Sequence, residues 1–212
     1  MQSFLHFLYF CSVIKRVMKR KNLRLRIEKM DDESVFFVSD FLDISSDKEI
    51  SKMLSELEEQ GVIKRLAKGI YCKPRMTRFG PLFPEVSKIV EAVAQRDHAQ
   101  VLPSGATAAN LLGLSEQVSV RYTFITSGAS RVLTIDGREI ILHRAVPRNF
   151  AYKTRLAALI VQALKAIGKE NIGKDEVSAL KRSIDKNKEK DAFNTDVLQM
   201  PIWMKKIIIP LI

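Results

Sequence analysis

Residues 46–73 constrain the fold more than any other part of the chain. "SDKE" at 46–49 fits a capping box, in which a hydroxyl at the helix start and a carboxylate three positions on satisfy each other's free backbone N–H groups. Ile50, Met53, Leu54 and Leu57 then share one helical face, with Lys48, Ser51, Lys52 and Ser55 on the other, and Gly61 supplies a left-handed stop. Directly behind it, "VIKRL" and "GIYCK" flank "AKG", whose glycine suits a tight reversal between antiparallel strands. Pro74 closes the segment.

Upstream, residues 18–30 are strongly basic and place Leu23, Ile27 and Met30 at i, i+4 and i+7, which predicts a first helix against a competing alternation at 23, 25 and 27. "VFFV" predicts a short strand, and Ser39 the cap of a short helix. Helix, short strand, short helix, capped helix and two strands joined by a basic turn is the winged helix-turn-helix order. There the capped helix enters the major groove and the wing reaches the neighbouring backbone. On this reading Ser45, Ser46, Lys48, Ser51, Lys52 and Ser55 face duplex DNA, and Lys64, Arg65 and Lys68 contact phosphates. A formal charge of +11 also points to an anionic partner, nucleic acid first.

Charge arithmetic keeps a protein-binding module in play. Residues 35–73 hold six Lys or Arg against seven Asp or Glu. The acids gather in the first small helix and at Glu56, Glu58 and Glu59, away from the expected groove. Eight basic residues among positions 15–30 are available to the flanking DNA backbone.

The opening "MQSFLHFLYFCSVIKRVMKRK" has its basic residues after the apolar run, the reverse of a secretory signal, and the run from Phe4 to Ile14 is too short to span a bilayer. A signal anchor and a packed helix compete with the favoured reading, in which residues 1–17 are an extraneous extension, Met18 is the natural start, and the protein is cytoplasmic with no membrane partner. Cys11 and Cys72 cannot make a disulfide framework, and His6, His98 and His143 lack metal-ligand spacing, so neither metal nor cofactor is expected.

The fold class expected is α+β: a winged helix-turn-helix over 18–74, a linker over 75–84 marked by two prolines and a glycine, and a mixed α/β C-terminal domain over 85–212 with an antiparallel sheet and C-terminal helices. In that domain a helix over 85–96 precedes a short strand, a turn at Pro103 to Gly105 and a small-residue helix ending at Gly113. Over 118–145 the period becomes that of strands, with Asp136-Gly137 centred between two β-rich runs as a hairpin signal. Helices follow from Lys153 and near 174–189, with "DKNKEKD" as a solvated helix end and the final "MPIWMKKIIIPLI" left unplaced. Between 121 and 155 there are seven basic residues against Asp136 and Glu139. Arg121, Arg131, Arg138, Arg144 and Arg148 are therefore candidates for holding an acidic protein or an RNA, against the plainer reading of outward charges on half-buried strands.

Chemistry is not visible. "LPSGAT" lacks a nucleophile elbow and makes Ser104 a helix cap, while "TSGAS" lacks P-loop spacing. Asp136 at a hairpin tip does not supply the paired carboxylates of two-metal nucleotidyl transfer. The chain reads as non-enzymatic.

"VFFVSDFLD", "LSELEEQGVIKRLAKGIYCKP", "LPSGATAANLLGLS", "VPRNFAYKTRLAALIVQALKAIGKENI" and "PIWMKKI" together resemble the AbiEi-like antitoxins of abortive-infection systems, over about residues 19–208. The resemblance implies an N-terminal winged helix that represses its own operon by binding inverted repeats in the promoter; self-association on DNA is a separate expectation. It also implies a C-terminal domain that counters a co-encoded AbiEii-type nucleotidyltransferase toxin, in a type IV toxin–antitoxin system of phage defence. By that resemblance the DNA contacts fall on Ser46, Lys48, Ser51, Lys52, Lys64, Arg65 and Lys68, although the expected recognition helix is less basic than the family's. The alternative is a stand-alone protein- or RNA-binding module with a basic C-terminal domain, tRNA being one such RNA.

Overall fold

Leu23 and Ile27, one helical turn apart, are both fully buried, which sets the inward face of the first helix. The computed structural model describes residues 2–115 and 121–212, with side chains from residue 14 onward. The described residues are α+β and divide into two compact units, residues 1–92 and 93–212.

In the first unit α1 (Gln2–Glu28) leads to β1 (Val35–Phe37), a 3-10 turn (Val38–Phe41), α2 (Asp47–Glu59), and β2 (Lys64–Ala67) paired with β3 (Ile70–Cys72). The three strands form an antiparallel sheet in the order β1-β3-β2. Its core collects Leu23, Ile27, Ile50 and Leu54 around Phe36, Phe41 and Tyr71. Phe36 meets Phe41 edge-to-face at 5.7 Å and stacks on Tyr71 at 6.1 Å.

Several local expectations change. The first helix begins at Gln2, well before residue 18, and the short helix is a 3-10 turn that Ser39 does not cap. Instead the Asp40 carboxylate accepts the Phe37 N–H at 2.9 Å, an ionised acceptor outcompeting a hydroxyl. Ser46 is the N-cap of α2 but its side chain makes no capping bond, and the Glu49 carboxylate that would complete the box turns to other partners described below. Residues 75–84, expected as a linker, carry a hairpin of β4 (Arg75–Thr77) and β5 (Gly80–Leu82). Pro81 fits there because a two-stranded ribbon leaves edges on which a missing N–H costs nothing. The following helix, α3 (Val86–Arg96), contains the division between the units.

The second unit has a sheet of β6 (Val101–Pro103), β7 (Arg121–Thr126), β8 (Arg131–Ile135) and β9 (Arg138–Arg144), and a layer of helices α4 (Gly105–Leu111), α5 (Arg155–Ile167), α6 (Lys174–Asp185), α7 (Lys190–Gln199) and α8 (Ile202–Ile208). The expected hairpin is present, with Asp136 at φ 49° and Gly137 at φ 71° between Ile135 and Arg138, both left-handed as a two-residue I′ reversal requires. The sheet, however, is mixed. Its order is β6-β7-β9-β8, so β9 inserts between β7 and β8 and runs parallel to β7. The part of the expected β7 strand at 118–120 lies outside the described residues.

Ala157, Ile160, Val161 and Leu164 of α5 are buried against α4 and the later helices, and Met204 and Ile208 of α8 give the C-terminal segment its place in that core. "DKNKEKD" is not only a helix end, since α7 starts within it at Lys190. Asp196 of α7 is fully buried and accepts the backbone N–H of Lys153 at 3.0 Å, that of Thr154 at 2.7 Å, and the Thr154 hydroxyl at 2.8 Å. It thereby fixes the entry to α5.

Candidate nucleic-acid interface

Helix α2 turns Ile50, Met53, Leu54 and Leu57 into the core, and the same periodicity places Lys48, Ser51, Lys52 and Ser55 on its outer side. Lys48 and Lys52 are exposed and make no ion pair among the described residues, and Ser51 is half-buried. The Ser55 hydroxyl donates to the Ser51 carbonyl at 3.0 Å, so it is satisfied within its own helix. Ser46 is exposed at the N-cap.

Ser45 is drawn into a cluster that ties α1 to the start of α2. Its hydroxyl accepts from Lys19 Nζ at 2.9 Å and donates to the Glu49 carboxylate, which also pairs with Lys19 at 3.0 Å. These contacts hold the Glu49 carboxyl below its usual range, the Ser45 bond being the largest cause and Lys19 the next. Further along, Arg20 pairs with Glu56 at 2.5 Å, and Arg26 with Asp43 at 2.8 Å while lying 5.2 Å over the Phe41 ring. Arg24 pairs with Glu28 within α1.

This changes the reading of the basic segment at 15–30. Lys19, Arg20, Arg24 and Arg26 serve the chain's own carboxylates, and Lys15, Arg16, Lys21 and Lys29 remain exposed outside any ion pair among the described residues. Of the seven acids in residues 35–73, Asp43, Glu49 and Glu56 are partners of α1 and Glu58 accepts the Arg65 backbone N–H at 3.1 Å, while Asp47 and Glu59 stay exposed on α2 beside its outer bases.

On that hairpin Lys64 and Arg65 lie on edge strand β2 and Lys68 occupies the reversal beside Gly69, whose φ of 74° supplies the turn. All three bases are exposed. Alternation along a strand sends Lys64 and Arg65 to opposite faces. The register slips between Arg65 and Ala67, and the Arg65 Nε donates to the Ala67 carbonyl at 3.3 Å, folding the guanidinium towards the turn.

The arginines of the second unit do not form one patch. Arg121 pairs with Glu139 at 2.7 Å across the parallel β7·β9 ladder, and Arg131 pairs with Asp97 at 2.6 Å. Arg138 stands at the β8–β9 reversal and Arg144 at the opposite end of β9, about 20 Å away at a strand's rise per residue. Arg148, in the 3-10 turn Pro147–Phe150, is exposed. Burial, helped by the charge of Arg148, lowers the pKa of Lys165, whose ammonium donates to the Asn149 side chain at 2.8 Å. Among the described residues no cluster of His, Cys, Asp or Glu has metal-binding geometry, and no helix is long and apolar enough to cross a membrane.

Sequence reasoning passed over Arg78 and Phe79, which the proline and glycine content of 75–84 hid in a supposed linker. The signal that could have found them is two phenylalanines and two arginines in a segment without acids.

Comparison with known proteins bears on the fold. A model described as "Family of unknown function (DUF6088)" matches residues 22–192. No curated protein matches the chain. Among solved structures, the crystal structure of the RV2827C protein from Mycobacterium tuberculosis is similar in fold, with a TM-score of 0.50 and 17% identity over 87% of this chain and 72% of that one.

Proposed function

We propose a function for this chain, which belongs to DUF6088, a family of unknown function, from its own residues: it is a promoter-binding antitoxin that represses its own operon. The first unit acts as a winged helix-turn-helix, with α2 in the major groove and the β2–β3 hairpin as its wing. One observation carries the DNA-binding part. Asp43, Glu49 and Glu56 are taken up by Arg26, Lys19 and Arg20, and Lys48, Lys52, Lys64, Arg65 and Lys68 are exposed bases with no acid paired to them among the described residues.

Ser51 and Lys52 read base edges, the wing bases bind phosphate, and Lys19 with Ser45 sets the angle at which α2 leaves α1. Two copies on inverted repeats account for operator symmetry. The antitoxin part rests on the AbiEi-like motifs, and assigns the second unit to opposing a nucleotidyltransferase toxin without catalysis of its own. Arg138, Arg144 and Arg148, exposed and without an ion pair among the described residues, favour a second reading in which this unit holds an acidic protein or an RNA.

Fluorescence anisotropy of the full chain on its own upstream duplex, against random duplex through a salt series, tests the proposal. A Kd of about 10⁻⁸ M or tighter on the upstream duplex near physiological salt, with much weaker binding to random duplex, is expected. Equal, salt-erased binding to both refutes promoter reading and leaves the second unit's partner as the function to seek.

A further inference from the structure

The β4–β5 hairpin spends exposed apolar surface that the fold does not use. Phe79 is 86% exposed and Met76 69%, on a ribbon containing no acid. Its tip is nevertheless closed by specific contacts. Thr77 and Gly80 pair directly, so Arg78 and Phe79 alone form the reversal. The Thr77 hydroxyl donates to the Gly80 carbonyl at 2.7 Å and accepts the Phe79 N–H at 3.2 Å. The Arg78 guanidinium lies 4.6 Å over the Phe79 ring. At the base, Arg75 pairs with Glu33 at 3.2 Å, and Lys73 donates to the carbonyls of Glu28 and Met30, which anchors the ribbon to the end of α1.

We infer that this hairpin is a second DNA-contacting element, with Arg78 entering a minor groove and Phe79 acting as a wedge against the base stack. The inference rests on the DNA-binding reading of the first unit. Three features select this occupant. The tip pairs a cation with an apolar ring, the combination by which minor-groove proteins exploit the groove's negative potential and unstack a base step. The absence of acids from the ribbon itself, whose base is tied to Asp32 and Glu33 by Lys73 and Arg75, leaves its tip suited to a polyanion. The position is continuous with the candidate interface: the reversal that carries Lys68 leads into β3, and Lys73, whose N–H reaches the Ser34 carbonyl at 3.0 Å, extends that ladder towards the β4–β5 hairpin. Residues 70–74, about 17 Å of extended chain, join the two hairpins.

The test uses the full chain with the substitutions Phe79→Ala, Arg78→Ala and Lys52→Ala, all at exposed positions, on the upstream duplex carrying a donor and an acceptor dye at its two ends. Phe79→Ala is expected to weaken binding on the order of 5- to 100-fold at every salt concentration and to remove the wild-type rise in energy transfer that reports bending. Arg78→Ala is expected to lower the salt slope by about one. If both bind and bend the duplex as wild type does while Lys52→Ala is weakened, the hairpin inference is overturned and the reading of α2 stands. If the wild-type chain does not bind duplex, both are overturned. Co-sedimentation with phosphatidylglycerol vesicles supplies the remaining arm: loss of vesicle binding in Phe79→Ala, with DNA binding intact, overturns the inference in favour of a lipid surface.

Discussion

Replacing Lys68 by alanine isolates the β2–β3 hairpin, the proposed wing. Lys68 is exposed at the β2–β3 reversal and bonded to nothing among the described residues, so its loss leaves the fold intact. With the wing bases Lys64, Arg65 and Lys68 as the phosphate contacts, each neutralised phosphate contributes about 0.9 to the slope of log K against log salt, so the wing contributes about −2.7. Between 50 and 200 mM salt that contribution lowers affinity about 40-fold, and one contact fewer lowers it only about 12-fold. Anisotropy titrations at four or five salt concentrations resolve the difference. Arg26→Ala is the control: its guanidinium is engaged by Asp43 and Phe41, so its removal costs about 0.2–1 kcal/mol of stability and leaves the slope unchanged. An identical slope for wild type and Lys68→Ala, or an equal change in Arg26→Ala, refutes the division of bases into those facing DNA and those holding α1 to α2.

Asp196→Ala strands two backbone N–H groups and a hydroxyl at the start of α5, and is expected to lower unfolding stability by about 3 kcal/mol in urea titrations, with faster amide exchange at Lys153 and Thr154. Burial pushes the Cys72 thiol up to about 12, so in a Cys11→Ser background iodoacetamide at pH 8.5 labels Cys72 only as the protein unfolds; rapid native-state labelling contradicts the burial. A folded pKa raised above the ordinary 9.0 means that the thiol's contribution to stability is complete below pH 9 and declines as pH rises towards 12, which thermal melts across that range can follow. Gly137→Ala meets no atom within 4 Å but must hold a φ of 71°, so it is expected to cost about 1 kcal/mol through backbone strain alone, visible as a lower melting temperature.

What the chain states locally, it states legibly. The span and inward face of α2 and the Asp136-Gly137 reversal each follow from residues within a turn or two of one another. Backbone preference and hydrophobic period act over that range, so they can be read along the sequence. Pairings between distant segments are another matter. Nothing near β7 announces that β9 lies beside it in parallel, because strand order is chosen by which apolar faces can be covered together. Glu49 looks like half of a capping box until Lys19, thirty residues away, offers a cation. Pro81 and Gly80 read as a linker until a free ribbon edge makes both acceptable in a hairpin. The candidate interface divides the same way: the sequence determined that Lys48, Lys52 and Lys68 lie on an outer face, and the tertiary structure decided that Asp43, Glu49 and Glu56 are engaged by α1, since only folding brings that distant basic helix against them.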